Sequence, residues 1–255
     1  MAILANTEFG ILRLTISRPQ KRNSLNSEMF DMLTDALAAA ARDSDVRVVL
    51  LEGDEQIFSA GADLEQVAKN PEEVDRAAGA FFEELQNFPK PIVARVNGPA
   101  VGAAFAMLLY CDMVYASEKA LFSIPAVALA RTPRFGTVPM MCAAAGHART
   151  AEKLLLSEPI TAQEAFDMHL LTAVFDDETL PNAVAAKVAR LAVLPPGAVQ
   201  ATKTLLLHAR ELRLQGFAVA ERSIYDRQAE SGEAHEALDA FLTGRKPVFK
   251  KTEEA

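Results

Sequence analysis

The sequence predicts an α/β domain whose second half is mostly helical. Up to Thr137, β-branched apolar runs alternate with stretches whose apolar residues recur three to four apart, the signature of strands joined by crossover helices. Beyond Thr137 the helical period dominates. No Gly/Ser-rich linker or composition break divides the chain. The reading is a core over residues 1–195 and a helical region of the same domain over 196–255.

Gly10 to Ser17 carries Ile11, Leu12, Leu14 and Ile16 and reads as a strand, ended at Arg18-Pro19 because proline restricts its predecessor and lacks a donor. Ser27 opens an amphipathic helix through Phe30, Leu33, Leu37 and Ala41, closed by Asp43 to Asp45. Val46 to Glu52 reads as a strand buried on both faces. The small residues of Phe58 to Asp63 follow it. Pro71 to Phe88 is a helix stopped by Pro89 and Pro91; Ile92 to Val96 is the next strand, Asn97-Gly98-Pro99 its turn, and Gly102 to Leu109 a closely packed helix. Met113 to Ala116 returns as strand.

Ala143 to Leu156, Thr161 to Leu170 and Pro181 to Leu194 read as three further helices, with Thr161 and Glu164 spaced as a capping box. Pro195-Pro196 precedes helices over Ala198 to His208, Arg210 to Glu230 and Glu233 to Leu242, the last ending at Gly244. A helical tail that leaves the core needs cover for its apolar face, from its own subunit or a neighbour.

Composition excludes several classes. With 26 Lys plus Arg against 34 Asp plus Glu, the formal charge of -8 suits neither a nucleic-acid backbone nor an anionic membrane. The apolar run Val101 to Leu109 is shorter than the roughly 20 residues of a membrane span. Met1 to Phe9 lacks the basic-then-apolar order of a secretory signal, and the only cysteines, Cys111 and Cys142, provide no disulfide framework; both point to the cytoplasm. His147, His169, His208 and His235 form no HExxH, so no metal is expected. There is no GxGxxG, GxxxxGK[ST] or GxSxG.

Two strand-to-helix transitions hold the chemical promise. In Phe58-Ser59-Ala60-Gly61-Ala62-Asp63 and in Asn97 to Ala104, small residues let backbone approach a ligand closely, and a helix start leaves amides without internal partners. If Ala62 N–H and Ala103 N–H face one point, they form a two-donor oxyanion hole for an oxygen that gains charge during reaction. Tight packing is the plainer reading of either loop taken alone.

The order Arg18-Pro19-Gln20-Lys21-Arg22-Asn23-Ser24-Leu25-Asn26, Phe58 to Asp63, Asn97-Gly98-Pro99-Ala100-Val101-Gly102, Cys111-Asp112 and Ala120-Leu121-Phe122, followed by Gly136, Gly146 and Arg245-Lys246-Pro247-Val248-Phe249, resembles the crotonase superfamily, also called the enoyl-CoA hydratase/isomerase family. The resemblance spans nearly the whole chain. It implies a spiral of ββα units, a C-terminal helical trimerisation region that also covers the active site, and a homotrimer or dimer of trimers. It also implies an acyl-CoA substrate, as in fatty acid metabolism, with coenzyme A entering as part of the substrate and no permanently bound cofactor. Ala62 and Ala103 then supply the oxyanion amides, and Lys21, Arg22, Ala60, Asp63 and Leu64 lie along the coenzyme-A site.

The resemblance also implies a departure. Ala106 and Ala126 stand where the family's hydratases carry their two glutamates, and Arg134 stands where related isomerases carry an aspartate. A methyl group moves no proton. Arg131 and Arg134 lie in the loop that the family uses around the acyl group; always charged, they suit a carboxylate or enolate partner, or an interface. Glu65, Asp63, Asp112 and Tyr110 are further polar candidates, with Asp112 reading as structural. The expectation is an atypical hydratase/isomerase-family enzyme acting through an enolate-like state. Its rivals are a catalytically silent acyl-CoA-binding protein and a structural oligomer.

Overall fold

A computed structural model describes residues 3–54, 56–214 and 216–249. Its main sheet has six strands in the order β1 (Ile3–Glu8), β2 (Ile11–Ile16), β3 (Val48–Glu52), β4 (Ile92–Val96), β6 (Met113–Ser117) and β9 (Ala173–Phe175). β1 and β2 form an antiparallel hairpin turning at Phe9-Gly10, and every other neighbouring pair runs parallel. A second sheet joins β5 (Ala100–Val101), β7 (Leu121–Ser123) and β8 (Ile160–Thr161).

Alternate residues of β3 explain the layers. Val49 and Leu51 face the main core, where α1 (Ser27–Arg42) and α3 (Pro71–Asn87) pack Phe30 against Phe81. Val48 and Leu50 face the opposite way and meet Leu180, Val184 and Val188 of α8 (Leu180–Val193). A strand covered on both sides must be apolar throughout, which is why this run does not alternate. Each such fully buried side chain contributes about 1.5–3 kcal/mol. Asn26 caps α1 by accepting from Met29 N–H at 3.0 Å.

The remaining helices are α2 (Leu64–Lys69), α4 (Ala103–Leu108), α5 (Thr137–Ala145), α6 (His147–Leu155), α7 (Ala162–Asp167), α9 (Pro196–Leu214), α10 (Phe217–Ala229) and α11 (Gly232–Thr243). The capping box of Thr161 and Glu164 is formed. Several expectations need correction. The helix expected over Ala143 to Leu156 starts at Thr137 and is broken in two at Gly146, whose φ of +79° no helix tolerates. The break expected near Ala209 falls at Gly216, again with positive φ. Strands β1, β5, β7, β8 and β9 went unpredicted; the last four have two or three residues each, too few for a period to register. With mixed sheets, interleaved helices and a helical C-terminal stretch, the chain has the expected crotonase-like architecture.

Candidate active site

The loops leaving β3 and β4 are tied into one unit. Phe58 and Ser59 N–H both donate to Pro99 O at 3.1 Å, and Val101 N–H donates to Ser59 O at 3.0 Å. Asn23, buried and at φ +56°, donates its amide to Asp54 Oδ2 at 3.0 Å and Ile57 O at 3.1 Å. Ser59 Oγ donates to Asn23 O at 2.6 Å and accepts from Gly61 N–H at 3.0 Å. Leu25 then pairs with Ala62 as a short bridge: Leu25 N–H donates to Gly61 O at 2.7 Å and Asp63 N–H to Leu25 O at 2.8 Å.

This pairing uses the Gly61 carbonyl and the Asp63 N–H and leaves the N–H of Ala62 outside the ladder. On the other loop, Gly102 N–H closes the small sheet by donating to Ser123 O at 2.8 Å, and Ala103 is the first residue of α4. Among the described residues, neither Ala62 N–H nor Ala103 N–H donates to a protein acceptor. Gly61 brings the two together: its φ is +83°, and a Cβ built there would stand 2.3 Å from Val101 O and 3.2 Å from Ala103 N. Gly102 turns the chain into α4 at φ +57°. Two unpartnered amides thus lie on adjoining strand-to-helix corners, in an arrangement suited to an oxyanion.

The residues expected along the coenzyme-A site flank the first corner. Ala60 N–H donates to Arg22 O at 3.0 Å, with Arg22 left-handed at φ +51° and exposed. Lys21 pairs with Glu65 at 2.5 Å, and Leu64 opens α2. Asp63 is already engaged: it caps α2 and pairs with Arg18 at 2.7 Å. Burial pushes its pKa up, but Arg18 and the cap amides outweigh that and hold it below the usual carboxylate range.

Ala106 lies in α4, only 2% exposed, and Ala126 is half-buried where a short 3₁₀ turn (Val127–Leu129) begins. Ala126 O accepts from Leu129 N–H at 3.0 Å and Arg131 N–H at 2.8 Å. Arg131 donates to Tyr225 Oη at 2.8 Å. Arg134 pairs with Asp75 of α3 and lies over the rings of Tyr225, at 4.1 Å, and Phe135, at 4.6 Å. Thr132 Oγ1, between the two arginines, is buried and has no partner among the described residues.

Among the described residues no group of three His, Cys, Asp or Glu is placed to hold a metal, and no helix is long and apolar enough to cross a membrane. Residues 6–252 match the enoyl-CoA hydratase/isomerase family. The chain belongs to this family, within the crotonase superfamily. It is 36% identical to the 2,3-dehydroadipyl-CoA hydratase of Escherichia coli K12 across 97% of this chain and 98% of that protein. It is 31% identical to the 1,2-epoxyphenylacetyl-CoA isomerase of the same organism, across 97% of each. The crystal structure of an enoyl-CoA hydratase/isomerase from Pseudoalteromonas atlantica T6c superposes with a TM-score of 0.91 at 31% identity, covering 98% of this chain and all (100%) of that one. This enoyl-CoA hydratase/isomerase-family member is therefore an enzyme of that general type, and its substrate is an acyl-CoA thioester.

Four polar groups near the loop of Arg131 to Gly136 escaped the sequence reading: Asp75, Thr132, Glu221 and Tyr225. Asp75 comes from α3 and both Glu221 and Tyr225 from α10, and only Thr132 lies in a segment whose motif drew attention. Glu221 of α10 accepts from Gly136 N–H at 2.9 Å, and burial raises its pKa against the pull of that amide and of Arg134. Tyr110, placed by α4, donates to Phe135 O at 2.7 Å, and burial pushes its pKa up to about 12. Asp112 proves structural: it accepts from Ile92 N–H and pairs with Lys203, each at 2.7 Å.

Proposed function

We propose that the enzyme binds an acyl-CoA by its thioester oxygen between Ala62 N–H and Ala103 N–H and proceeds through an enolate-like state. One observation supports this reading: Ala62 N–H and Ala103 N–H have no protein acceptor among the described residues, on two loops that pair and pack closely at the glycine of position 61. Developing charge on the oxygen strengthens both hydrogen bonds in the transition state, and each such donor is worth about 10²–10³ in rate. Lys21 and Arg22 stand on the same surface, suited to the phosphates of coenzyme A, with Ala60, Asp63 and Leu64 beside them.

The reaction is neither the two-glutamate hydration nor the one-carboxylate isomerisation, because Ala106 and Ala126 offer no proton carrier. Arg131 and Arg134 select a polar or anionic acyl tail, with the unpartnered Thr132 hydroxyl beside them supporting the choice. Asp75 already neutralises Arg134, so such a tail competes with it. The C-terminal region, 196–255, serves both as cover and in assembly. Within one chain α11 packs Ala234 and Ala237 on Ala130, while Leu205, Leu206, Val219 and Phe241 stay exposed, a face suited to a homotrimer or dimer of trimers. The proposed location is the cytoplasm.

The test is mass-resolved turnover of saturated, enoyl and dicarboxyl-CoA substrates in deuterated water. Deuterium uptake at the α-carbon, with or without net conversion, is expected for at least one class. Tight binding without exchange or conversion would instead make this a silent acyl-CoA-binding protein, and absence of binding would leave a structural oligomer.

A further inference from the structure

We propose a second ligand site, for a small phosphate-type oxyanion, in the cleft at the carboxyl ends of β3, β4, β6 and β9. The cleft has a volume of about 530 Å³ and is lined by Gln56, Arg95, Asn97, Lys119, Asp177 and Pro181, among others. None of these residues is among those assigned above to the acyl-CoA. Its position follows from the sheet. Arg95 is paired in register with Glu52 on one side and Tyr115 on the other, so all three lie on the face that α8 covers. α8 starts only at Leu180, so the polar end of that face stays open beside its first turn, where Pro181 lines the cleft.

The charges do not balance. Glu52 is buried and takes two contacts from Arg13 Nη1, at 2.8 and 3.0 Å, one from Thr15 Oγ1 at 3.1 Å and one from Arg95 Nη2 at 2.9 Å. One carboxylate thus serves two guanidinium groups. Lys119 pairs with Asp177, which also accepts from Ser117 Oγ. Of the residues that line the cleft, Arg95 and Lys119 are cations and Asp177 is the one carboxylate, and Arg95 Nε is buried without any acceptor among the described residues. A buried cationic donor left unpaired is costly, and an oxyanion is the ligand that removes the cost. Asn97 and Gln56 add neutral amide donors at the rim. Asp177 disfavours a purely anionic body and suits a hydroxyl beside the phosphate.

Inorganic phosphate is the probe, titrated into the full-length protein at constant ionic strength with chloride as the balancing ion and followed by calorimetry and amide NMR. Saturable binding is expected, with shifts centred on Gln56, Asn97, Gly98 and Lys119. R95Q is expected to weaken it about tenfold or more, the size of a lost charge-assisted hydrogen bond. K119A, at the rim, keeps the test alive if R95Q fails to fold, and it should weaken binding while leaving CoA affinity unchanged. Saturating CoA should not displace the phosphate. Binding no stronger than that of chloride, shifts confined to Lys21 and Arg22, or displacement by CoA would each overturn the second site; the last two would make it the phosphate end of the acyl-CoA site.

Discussion

Gly61 sits so close beneath the second loop that a methyl group on it would stand 3.2 Å from the Ala103 amide nitrogen and 2.3 Å from the Val101 carbonyl oxygen. The close approach of the two loops therefore depends on a missing side chain. Gly61→Ala meets both this crowding and a φ of +83°. Such strain costs about 1–3 kcal/mol, and displacing one oxyanion donor costs about 10²–10³ in rate. Thermal unfolding should drop measurably and α-proton exchange should fall by at least the lower of those factors. A variant with full exchange would show that the amides do not act together.

Carboxylates introduced at Ala106 and Ala126 separate two sites of different burial. Ala106 is 2% exposed within α4, so a carboxylate there is desolvated and Ala106→Glu should be destabilised by about 1–3 kcal/mol. Ala126, half-buried beside the 3₁₀ turn, should accept Glu at lower cost. Circular-dichroism melts order the two variants, and water addition to an enoyl-CoA reports whether either carboxylate restores hydration. Equal melts for both would contradict the burial argument.

The two corners that hold Ala62 and Ala103 were legible because each is a run of small residues between a strand and a helix, and that pattern survives in one dimension. The partners of Arg134 were not: Asp75 lies on α3 and Tyr225 on α10, and neither has a local motif. Nor was the division of the helix expected over Ala143 to Leu156, since Gly146 alone is tolerated inside a helical pattern until its φ is known. Long apolar runs such as β3 were found to within two residues; two-residue strands such as β5, which fixes the second corner, have no period at all.

Glu221 predicts a pH dependence. Its folded pKa lies above the unfolded value because burial outweighs the Gly136 amide and Arg134. The stability tied to its proton is fully present below the unfolded carboxylate range, and it is lost as pH rises through the raised folded pKa. Glu221→Gln removes the titration while keeping an acceptor for Gly136 N–H. The variant's melting temperature should therefore hold up better than the wild type's from acid toward neutral pH. Parallel profiles for the two proteins would locate the titration elsewhere.

Tyr110 should remain a donor to Phe135 O through most of the alkaline range, since burial raises its pKa to about 12. Of the three tyrosines, Tyr110 is expected to ionise late in an ultraviolet titration. Tyr110→Phe should remove that late step and cost about 0.5–1.5 kcal/mol for the lost hydrogen bond. An unchanged late step would assign it to another tyrosine.

Lys203 anchors α9 to the core. Its ammonium, 2% exposed, meets both carboxylate oxygens of Asp112 at 2.7 Å. Burial lowers the Lys203 pKa in spite of that carboxylate, so desolvation is the larger effect. Removing one partner alone is the damaging change, because it strands the other charge. Lys203→Met should cost about 3–5 kcal/mol. In Lys203→Met with Asp112→Asn, the amide oxygen still accepts from Ile92 N–H and no charge is stranded, so most of the loss should return. Denaturant unfolding of wild type, both single variants and the double variant closes the cycle. Additive losses would mean that the two side chains are uncoupled and that α9 is held by its other contacts, among them Arg210 to Tyr110 O and Gln86 O.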